Sequence, residues 1–86
     1  MTIRYSKRFK KQYKKLSPKL QQKTKTGITL WAHNPNDESL RLHKLSGKMN
    51  RFYSIDITGD LRALYEKAGD EVYLYQMVGT HSQLYG

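Results

Sequence analysis

The chain has 86 residues, no cysteine and a formal net charge of +9, which exclude a large multidomain architecture, a disulfide framework and a thiolate zinc site. No apolar run approaches the roughly 20 residues of a membrane span, and the basic N-terminus lacks the apolar segment of a signal peptide. We therefore expect a single domain, residues 1–86, in the cytoplasm and without a membrane partner.

The positive charge is concentrated in the first part of the chain. Residues 1–36 contain ten Lys and Arg and no acidic residue, whereas residues 37–86 contain six basic and seven acidic residues. Such asymmetry creates a field that attracts polyanions, and nucleic acid is the obvious polyanion for a domain with a pI near 9.9. A basic surface that serves only solubility is the alternative, although soluble surfaces usually mix both signs.

The first half of the chain predicts a short strand and a helical hairpin. An extended start, Thr2–Tyr5, precedes Ser6, whose hydroxyl suits a helix N-cap. Apolar residues then recur every three or four positions, which is the helical period. Ser17 and Pro18 end this helix and begin a second one, which stops at Asn34 because a proline follows.

The second half predicts an antiparallel sheet. Apolar and polar residues alternate within 40–45 and 51–58, two further strands are expected at 61–66 and 72–78, and a hairpin turn is expected at 68–70. The order β-α-α-β-β-β-β predicts an α+β fold, with two N-terminal helices packed on one face of a twisted, mainly antiparallel sheet of four to five strands. The other face is expected to stay open, where it can bind a nucleic-acid strand.

Three residues of this sheet offer the groups that metal-independent RNA cleavage needs. A base takes the proton of a ribose 2′-OH, an acid protonates the leaving 5′ oxygen, and a cation stabilises the pentacoordinate phosphorane. His43 and His81 suit the first two roles, and Arg62, on the strand face opposite its apolar neighbours, suits the third. Tyr85 either stacks on a base or tethers the chain end. Taken singly, each histidine and the arginine is more often an ordinary surface residue.

The histidines do not predict a metal site. No two of them have the i, i+4 spacing or the His-Glu-X-X-His pattern of helical metal ligands. His33 falls at the end of the second helix, where an imidazolium suits the helix C-terminus. We therefore expect neither a metal ion nor another cofactor.

Three segments carry a pattern shared with a known group of proteins: LHKLSG at residues 42–47, ITGDLRALY at 57–65 and VGTHSQLY at 78–85. With the basic helical start, they resemble the RelE/YafQ superfamily of type II toxins over nearly the whole chain. The resemblance implies a microbial RNase fold. It also implies mRNA cleavage, usually in the ribosomal A site, by 2′-OH attack that leaves a 2′,3′-cyclic phosphate, and a cognate antitoxin that wraps the toxin.

The resemblance also implies roles for individual residues. His43 and His81 match histidines that the YafQ branch uses, and Asp60 matches an acidic residue of that branch. Arg62 matches the strand arginine of the RelE and YoeB branches that contacts the phosphate. Tyr85 matches the C-terminal aromatic residue.

The chain departs from the YafQ branch at three positions. Asp56 stands in place of a histidine, Met77 in place of an arginine, and Leu61 in place of a tryptophan. The candidate site therefore combines features of two branches, and we hypothesise that Arg62 replaces the missing arginine.

The leading hypothesis is an mRNA interferase that acts on the ribosome, with His81 as general acid or base. His43 and Asp60 would assist, and Arg62 would hold the phosphate. Contacts to the RNA backbone are expected from Lys10, Lys14, Lys44, Lys48 and Arg51.

Two other functions fit the same fold. One is a non-enzymatic inhibitor like the ParE branch, which acts on DNA gyrase; the joint presence of His43, Arg62 and His81 counts against it. The other is a module that binds RNA or the ribosome without catalysis, which charge alone does not separate from a nuclease. In each case we expect an antitoxin that places acidic or apolar segments over the basic helices and the open face.

Overall fold

The computed structural model describes residues 1–85. Two short 3-10 turns, Glu38–Leu40 and Gly47–Met49, flank the second strand. The predicted order is confirmed, and His81–Tyr85 form a short helix. In chain order the elements are β1 (Thr2–Tyr5), α1 (Lys7–Lys14), α2 (Pro18–His33), β2 (His43–Lys44), β3 (Tyr53–Asp56), β4 (Leu61–Gly69), β5 (Val72–Thr80) and α3 (His81–Tyr85).

The sheet has five strands in the order β1-β5-β4-β3-β2. The pairs from β5 to β2 are antiparallel, because short turns connect each of those strands to the next. β1 pairs with β5 in parallel. The expected mainly antiparallel sheet is therefore confirmed, with the N-terminal strand as its one parallel edge.

The helical hairpin begins and ends at the residues that the sequence indicates. The Ser6 hydroxyl accepts a hydrogen bond from the Phe9 N–H at 3.0 Å, and the Ser17 hydroxyl accepts one from the Leu20 N–H at 3.3 Å. These N-caps satisfy amide groups that a helix start leaves without a partner. None of the helices in residues 1–85 combines the length and the apolar character needed to cross a bilayer.

The main core lies between the helices and the sheet. Trp31 from α2 is at its centre, with ring centroids 4.7 Å from Tyr65, 5.1 Å from Tyr73 and 5.4 Å from Tyr75. Aromatic pairs at these separations add to the stability gained from burial alone. The strand tyrosines therefore serve packing of the core.

Two predicted elements differ from the structure. The strand expected over 40–45 is reduced to β2, because Arg41 adopts the left-handed conformation (φ 47°, ψ 43°), which interrupts an extended chain. The hairpin turn expected at 68–70 lies one residue later, since Gly69 still pairs with Val72. Glu71, at φ 58°, makes the left-handed step of that turn.

The sheet face away from the helices is not as open as expected. Phe52, Leu64 and Met77 are buried there in a second, smaller cluster, and three partly buried side chains pack against it: Leu45, Met49 and Leu84. Leu45 follows β2, Met49 lies in a 3-10 turn and Leu84 lies in α3. Part of the face is therefore covered, and what remains accessible is a bounded cavity beside the cluster.

Candidate active site

The sheet cavity has a volume of about 410 Å³ and lies on the face away from α1 and α2. It brings together His43, Arg62, His81 and Tyr85, four of the five residues that the sequence predicts for catalysis. Further polar groups in its lining come from Arg41, Ser46, Ser54 and Asp56.

Strand register explains why distant residues converge in the cavity. Asp56 lies directly opposite Arg62 in the β3–β4 pair, and His43 lies opposite Ser54 in the β2–β3 pair. Directly opposed residues share one face of a sheet. His81 follows β5 without a connecting loop, so α3 places the second histidine at the end of the same face.

Arg62 is held at the base of the cavity by several acceptors. Its Nε lies 2.9 Å from Asp56 Oδ1, and its Nη1 donates to the carbonyl oxygens of Thr58 and Gly59, each at 3.1 Å. The Arg62 side chain is 19% exposed and that of Asp56 is 12% exposed. A partly buried guanidinium with this many partners is a preorganised cation.

The ring orientation of His43 follows from one hydrogen bond. Its Nδ1 lies 2.8 Å from the carbonyl oxygen of Arg41. A carbonyl oxygen only accepts, so Nδ1 carries the proton. In the neutral imidazole Nε2 is then the unprotonated nitrogen. His43 is thereby arranged to accept a proton through Nε2.

His81 and Tyr85 lie one helical turn apart, and their ring centroids are 4.7 Å from each other. Both side chains are exposed. The helix that carries them starts with a reciprocal cap: the Thr80 N–H donates to Gln83 Oε1 at 2.8 Å, and the Gln83 N–H donates to Thr80 Oγ1 at 3.2 Å. This capping box fixes the start of α3, and with it the position of His81.

The fifth predicted catalytic residue lies elsewhere. Asp60 is exposed in the turn between β3 and β4 and does not line the sheet cavity. Its backbone N–H donates to Thr58 Oγ1 at 3.3 Å, which stabilises the turn. A direct role for the Asp60 carboxylate in the cavity stays a prediction.

The predicted RNA-binding residues are divided between the two sides of the sheet. Lys44 and Lys48 are exposed on β2, the edge strand, and the following 3-10 turn. Lys44 lies opposite Tyr53 and so shares the face of the main core, whereas its neighbour His43 lines the cavity. Arg51 is paired with Glu66 at 3.2 Å. Lys10 and Lys14 lie on the helical side of the sheet, beside a groove between α1 and α2.

This helical groove has a volume of about 660 Å³, larger than the sheet cavity. Its apolar lining is formed by Tyr5, Phe9, Tyr13 and Ile28, and its polar lining includes Lys10, Lys14 and Lys25. Partial burial raises the pKa of the Tyr5 phenol, and the neighbouring Tyr13 adds to the effect. The groove combines an apolar floor with a cationic rim.

Four polar residues of the cavity, Arg41, Ser46, Ser54 and Asp56, are not indicated as site residues by the sequence. The sequence marks Asp56 only as a departure from the YafQ branch, because the strand register that sets it opposite Arg62 is decided by the tertiary structure. Arg41 had no signal, because the sequence does not indicate its left-handed backbone. The Ser54 hydroxyl is buried in the sheet and has no hydrogen-bond partner among residues 1–85.

Metal coordination has no candidate ligand set in this part of the chain. Among residues 1–85, no three acidic or histidine side chains are placed to share one ion. The polar groups that line the cavity include two imidazoles, two guanidinium groups and the Asp56 carboxylate.

Several solved toxin structures are similar in fold. YafQ from E. coli strain BL21(DE3) superposes with a TM-score of 0.83 at 24% identity, covering 98% of this chain and 97% of that one. The E. coli DinJ-YafQ toxin-antitoxin complex gives 0.79 at 24%, covering 98% and 96%. A YoeB/ParE toxin from Agrobacterium tumefaciens gives 0.78 at 18%, covering 94% and 99%. At these identities the likeness establishes the fold alone.

The family assignment comes from the sequence as a whole. No curated protein sequence matches the chain. A family model described as the bacterial toxin of type II toxin-antitoxin systems, YafQ, matches residues 1–86. It covers both the helical hairpin and all the segments that form the sheet cavity. The chain therefore belongs to the YafQ family of bacterial toxins.

Proposed function

We propose that this toxin is a metal-independent endoribonuclease that cleaves mRNA, with the ribosome as the place of cleavage. The observation that carries the proposal is the convergence of His43, Arg62 and His81 in one cavity. These residues come from β2, β4 and the start of α3, which are distant in the sequence. Together they supply the base, the cation and the acid of the reaction.

In this mechanism His43 accepts the proton of the ribose 2′-OH through Nε2. The 2′ oxygen then attacks the adjacent phosphorus, and the bond to the 5′ oxygen breaks. His81 in its protonated form gives a proton to that 5′ oxygen. The products are a 2′,3′-cyclic phosphate and a free 5′-hydroxyl. The assignment of His43 as base rests on its Nδ1–H bond to the Arg41 carbonyl, and His81 is the imidazole left for the acid.

Arg62 and Tyr85 serve binding in this mechanism. The Arg62 guanidinium stabilises the phosphorane, whose negative charge exceeds that of the ground-state phosphodiester. Tyr85, 38% exposed beside His81, stacks on a base of the RNA. Lys44 and Lys48 contact the RNA backbone at the β2 edge of the sheet.

We further propose that a cognate antitoxin occupies the helical groove with an acidic amphipathic helix. The apolar floor fits the apolar face of such a helix, and Lys10, Lys14 and Lys25 at the rim fit its carboxylates. E. coli YafQ has been solved in complex with DinJ, which supports an antitoxin as the class of partner.

The first test is primer extension on mRNA in a translation reaction, with and without ribosomes. We expect new 3′ ends with the wild type and ribosomes, and a loss of about 10²- to 10⁴-fold in His81→Ala, as for removal of a general acid. His43→Asn keeps a donor near the Nδ1 position but lacks the base, and should lose cleavage likewise.

His33→Ala is the matched control, since His33 is exposed at the end of α2 and does not line the cavity. It should cleave like the wild type. Growth arrest without any new 3′ end, in the wild type and in His81→Ala alike, would shift the function to a gyrase inhibitor and give the histidines a structural role.

A further inference from the structure

One carboxylate in the sheet cavity lies between two arginines. Asp56 Oδ1 is 2.9 Å from Arg62 Nε, and Asp56 Oδ2 is 3.7 Å from Arg41 Nε. The two oxygens of one side chain thus face two guanidinium groups that come from different parts of the chain. All three side chains line the cavity.

The two arginines differ in freedom. The Arg62 side chain is 19% exposed and fixed at Nε and Nη1, so Nη2 is the nitrogen left to serve a bound anion. The Arg41 side chain is 79% exposed, and its 3.7 Å contact is a weak surface interaction. Arg41 can therefore turn from Asp56 to a ligand at little cost, while Arg62 stays in place.

The backbone of Arg41 supports a functional role. It is left-handed, a conformation that non-glycine residues rarely adopt and that tends to occur at functional sites. This conformation directs the Arg41 carbonyl to His43 Nδ1 and leaves its side chain next to Asp56. One strained residue thus orients the proposed base and places a second cation in the same cavity.

We propose that Arg41 is a second phosphate-binding residue and that Asp56 is a positioning residue, which holds Arg62 for the phosphate and keeps Arg41 beside it. The proposal rests on the nuclease function proposed above. Two guanidinium groups and one carboxylate leave the cavity cationic, as an anionic ligand requires. The phosphorane carries more negative charge than the phosphodiester, and a mobile second arginine can add its charge at that stage.

The role of Arg41 is tested by binding to an RNA oligonucleotide with 2′-O-methyl ribose throughout, which cannot be cleaved by 2′-OH attack. For a single strand, each phosphate contact contributes about 0.7 to the slope of log K against log salt. Arg41→Ala should reduce the slope by about 0.7. Lys23→Ala removes the same charge from an exposed position on α2 outside the cavity and should leave it unchanged. Equal slopes for wild type and Arg41→Ala would overturn this role.

The role of Asp56 is tested by separating turnover from binding. Asp56→Ala should lower kcat about a hundredfold, as for a misplaced catalytic group, while the 2′-O-methyl RNA binds at least as tightly because a negative charge is gone. Asp56→Asn retains an oxygen acceptor for Arg62 Nε and should recover most of the turnover. Folding of each variant is checked by circular dichroism, and the isosteric Asp56→Asn carries the test if Asp56→Ala does not fold.

Two results would overturn the positioning role: a folded Asp56→Ala with wild-type kcat, or a folded Asp56→Asn without turnover and with weaker RNA binding. Failure of the nuclease proposal looks different, since the wild type itself would then cleave no RNA. The salt dependence of Arg41→Ala would still decide whether Arg41 contacts phosphate.

Discussion

At the scale of single residues, the Tyr75 hydroxyl is a polar group in an apolar environment. The side chain is fully buried, and its hydroxyl has no hydrogen-bond partner within residues 1–85. Burial raises the pKa of Tyr75 well above its usual range, because the phenolate cannot be solvated there; the nearby Tyr65 and Tyr5 add smaller effects. The hydroxyl therefore costs stability at neutral pH, and its ionisation favours unfolding at alkaline pH.

Tyr75→Phe should raise the free energy of unfolding by about 1 kcal/mol at pH 7, since it removes an unpaired buried hydroxyl and keeps the ring. The folded-state pKa lies above the unfolded value of about 10. Below the unfolded-state pKa the hydroxyl is protonated in both states, and its ionisation does not affect the free energy of unfolding. As the pH rises above that value, the unfolded state ionises and the free energy of unfolding falls. The variant should thus lose less stability between pH 7 and about pH 10.5.

Urea denaturation at both pH values checks this prediction. Tyr13→Phe is the control, because the Tyr13 hydroxyl donates to the Gln21 carbonyl oxygen at 3.2 Å. Loss of that bond should lower stability by about 1 kcal/mol. A Tyr75→Phe protein that is destabilised as much as Tyr13→Phe would show that the Tyr75 hydroxyl has a partner after all.

At the scale of elements, the last helix depends on its cap more than α1 and α2 do. α3 has only five residues, too few to be stable by itself. It is held by the Thr80–Gln83 capping box and by Leu84, which packs on the cluster of Phe52, Leu64 and Met77. The position of His81 is therefore sensitive to a residue that does not line the cavity.

Gln83→Ala should lower kcat about tenfold to a hundredfold in the primer-extension reaction, the range found when supporting residues are removed from a site. Global stability should fall by only about 0.5–1 kcal/mol, as for loss of a cap. Gln22→Ala, at an exposed position of α2, should change neither quantity. Wild-type turnover in Gln83→Ala would mean that Leu84 alone keeps His81 in place.

At the scale of the whole molecule, the sheet separates two charged surfaces. Of the ten basic residues in the first 36 positions, all except Arg4 belong to α1, α2 and their connection, on the helical side of the sheet, whereas the sheet cavity opens on the other side. The net charge that steers polyanions is thus concentrated on one face, and the groups that would react at the phosphate lie on the other. An antitoxin segment bound in the helical groove would leave the cavity uncovered. A different segment of the antitoxin would have to cover the cavity.

The double variant Lys10→Glu/Lys14→Glu should weaken antitoxin binding by at least about tenfold, because it replaces attraction at the groove rim by repulsion. Cleavage should persist, since both positions lie across the sheet from the cavity. Lys19→Glu/Lys23→Glu matches it in charge and in helical spacing but lies outside the groove. Isothermal titration with the antitoxin measures binding.

Equal weakening of antitoxin binding by both double variants would indicate a general charge effect and no specific groove. Loss of cleavage in Lys10→Glu/Lys14→Glu alone would instead restore the sequence-based assignment of these lysines to RNA. The two measurements together therefore decide which partner the helical face serves.

The sequence by itself determined the local structure, because caps and hydrophobic periods act over a few residues. Ser6, Ser17 and the proline after Asn34 mark the helix ends, and alternation marks which strand face is apolar. The same alternation placed Arg62 away from the core, and the nature of the side chains nominated His43 and His81. These inferences need no knowledge of what lies across the sheet.

Only the tertiary structure decided which polar groups meet. Strand register set Asp56 against Arg62, a left-handed Arg41 shortened β2 and oriented His43, and the turn geometry kept Asp60 outside the cavity. The cover over Phe52, Leu64 and Met77 also depends on segments distant in sequence. Such contacts arise from backbone conformation and packing between elements, which residue type and spacing along the chain do not specify.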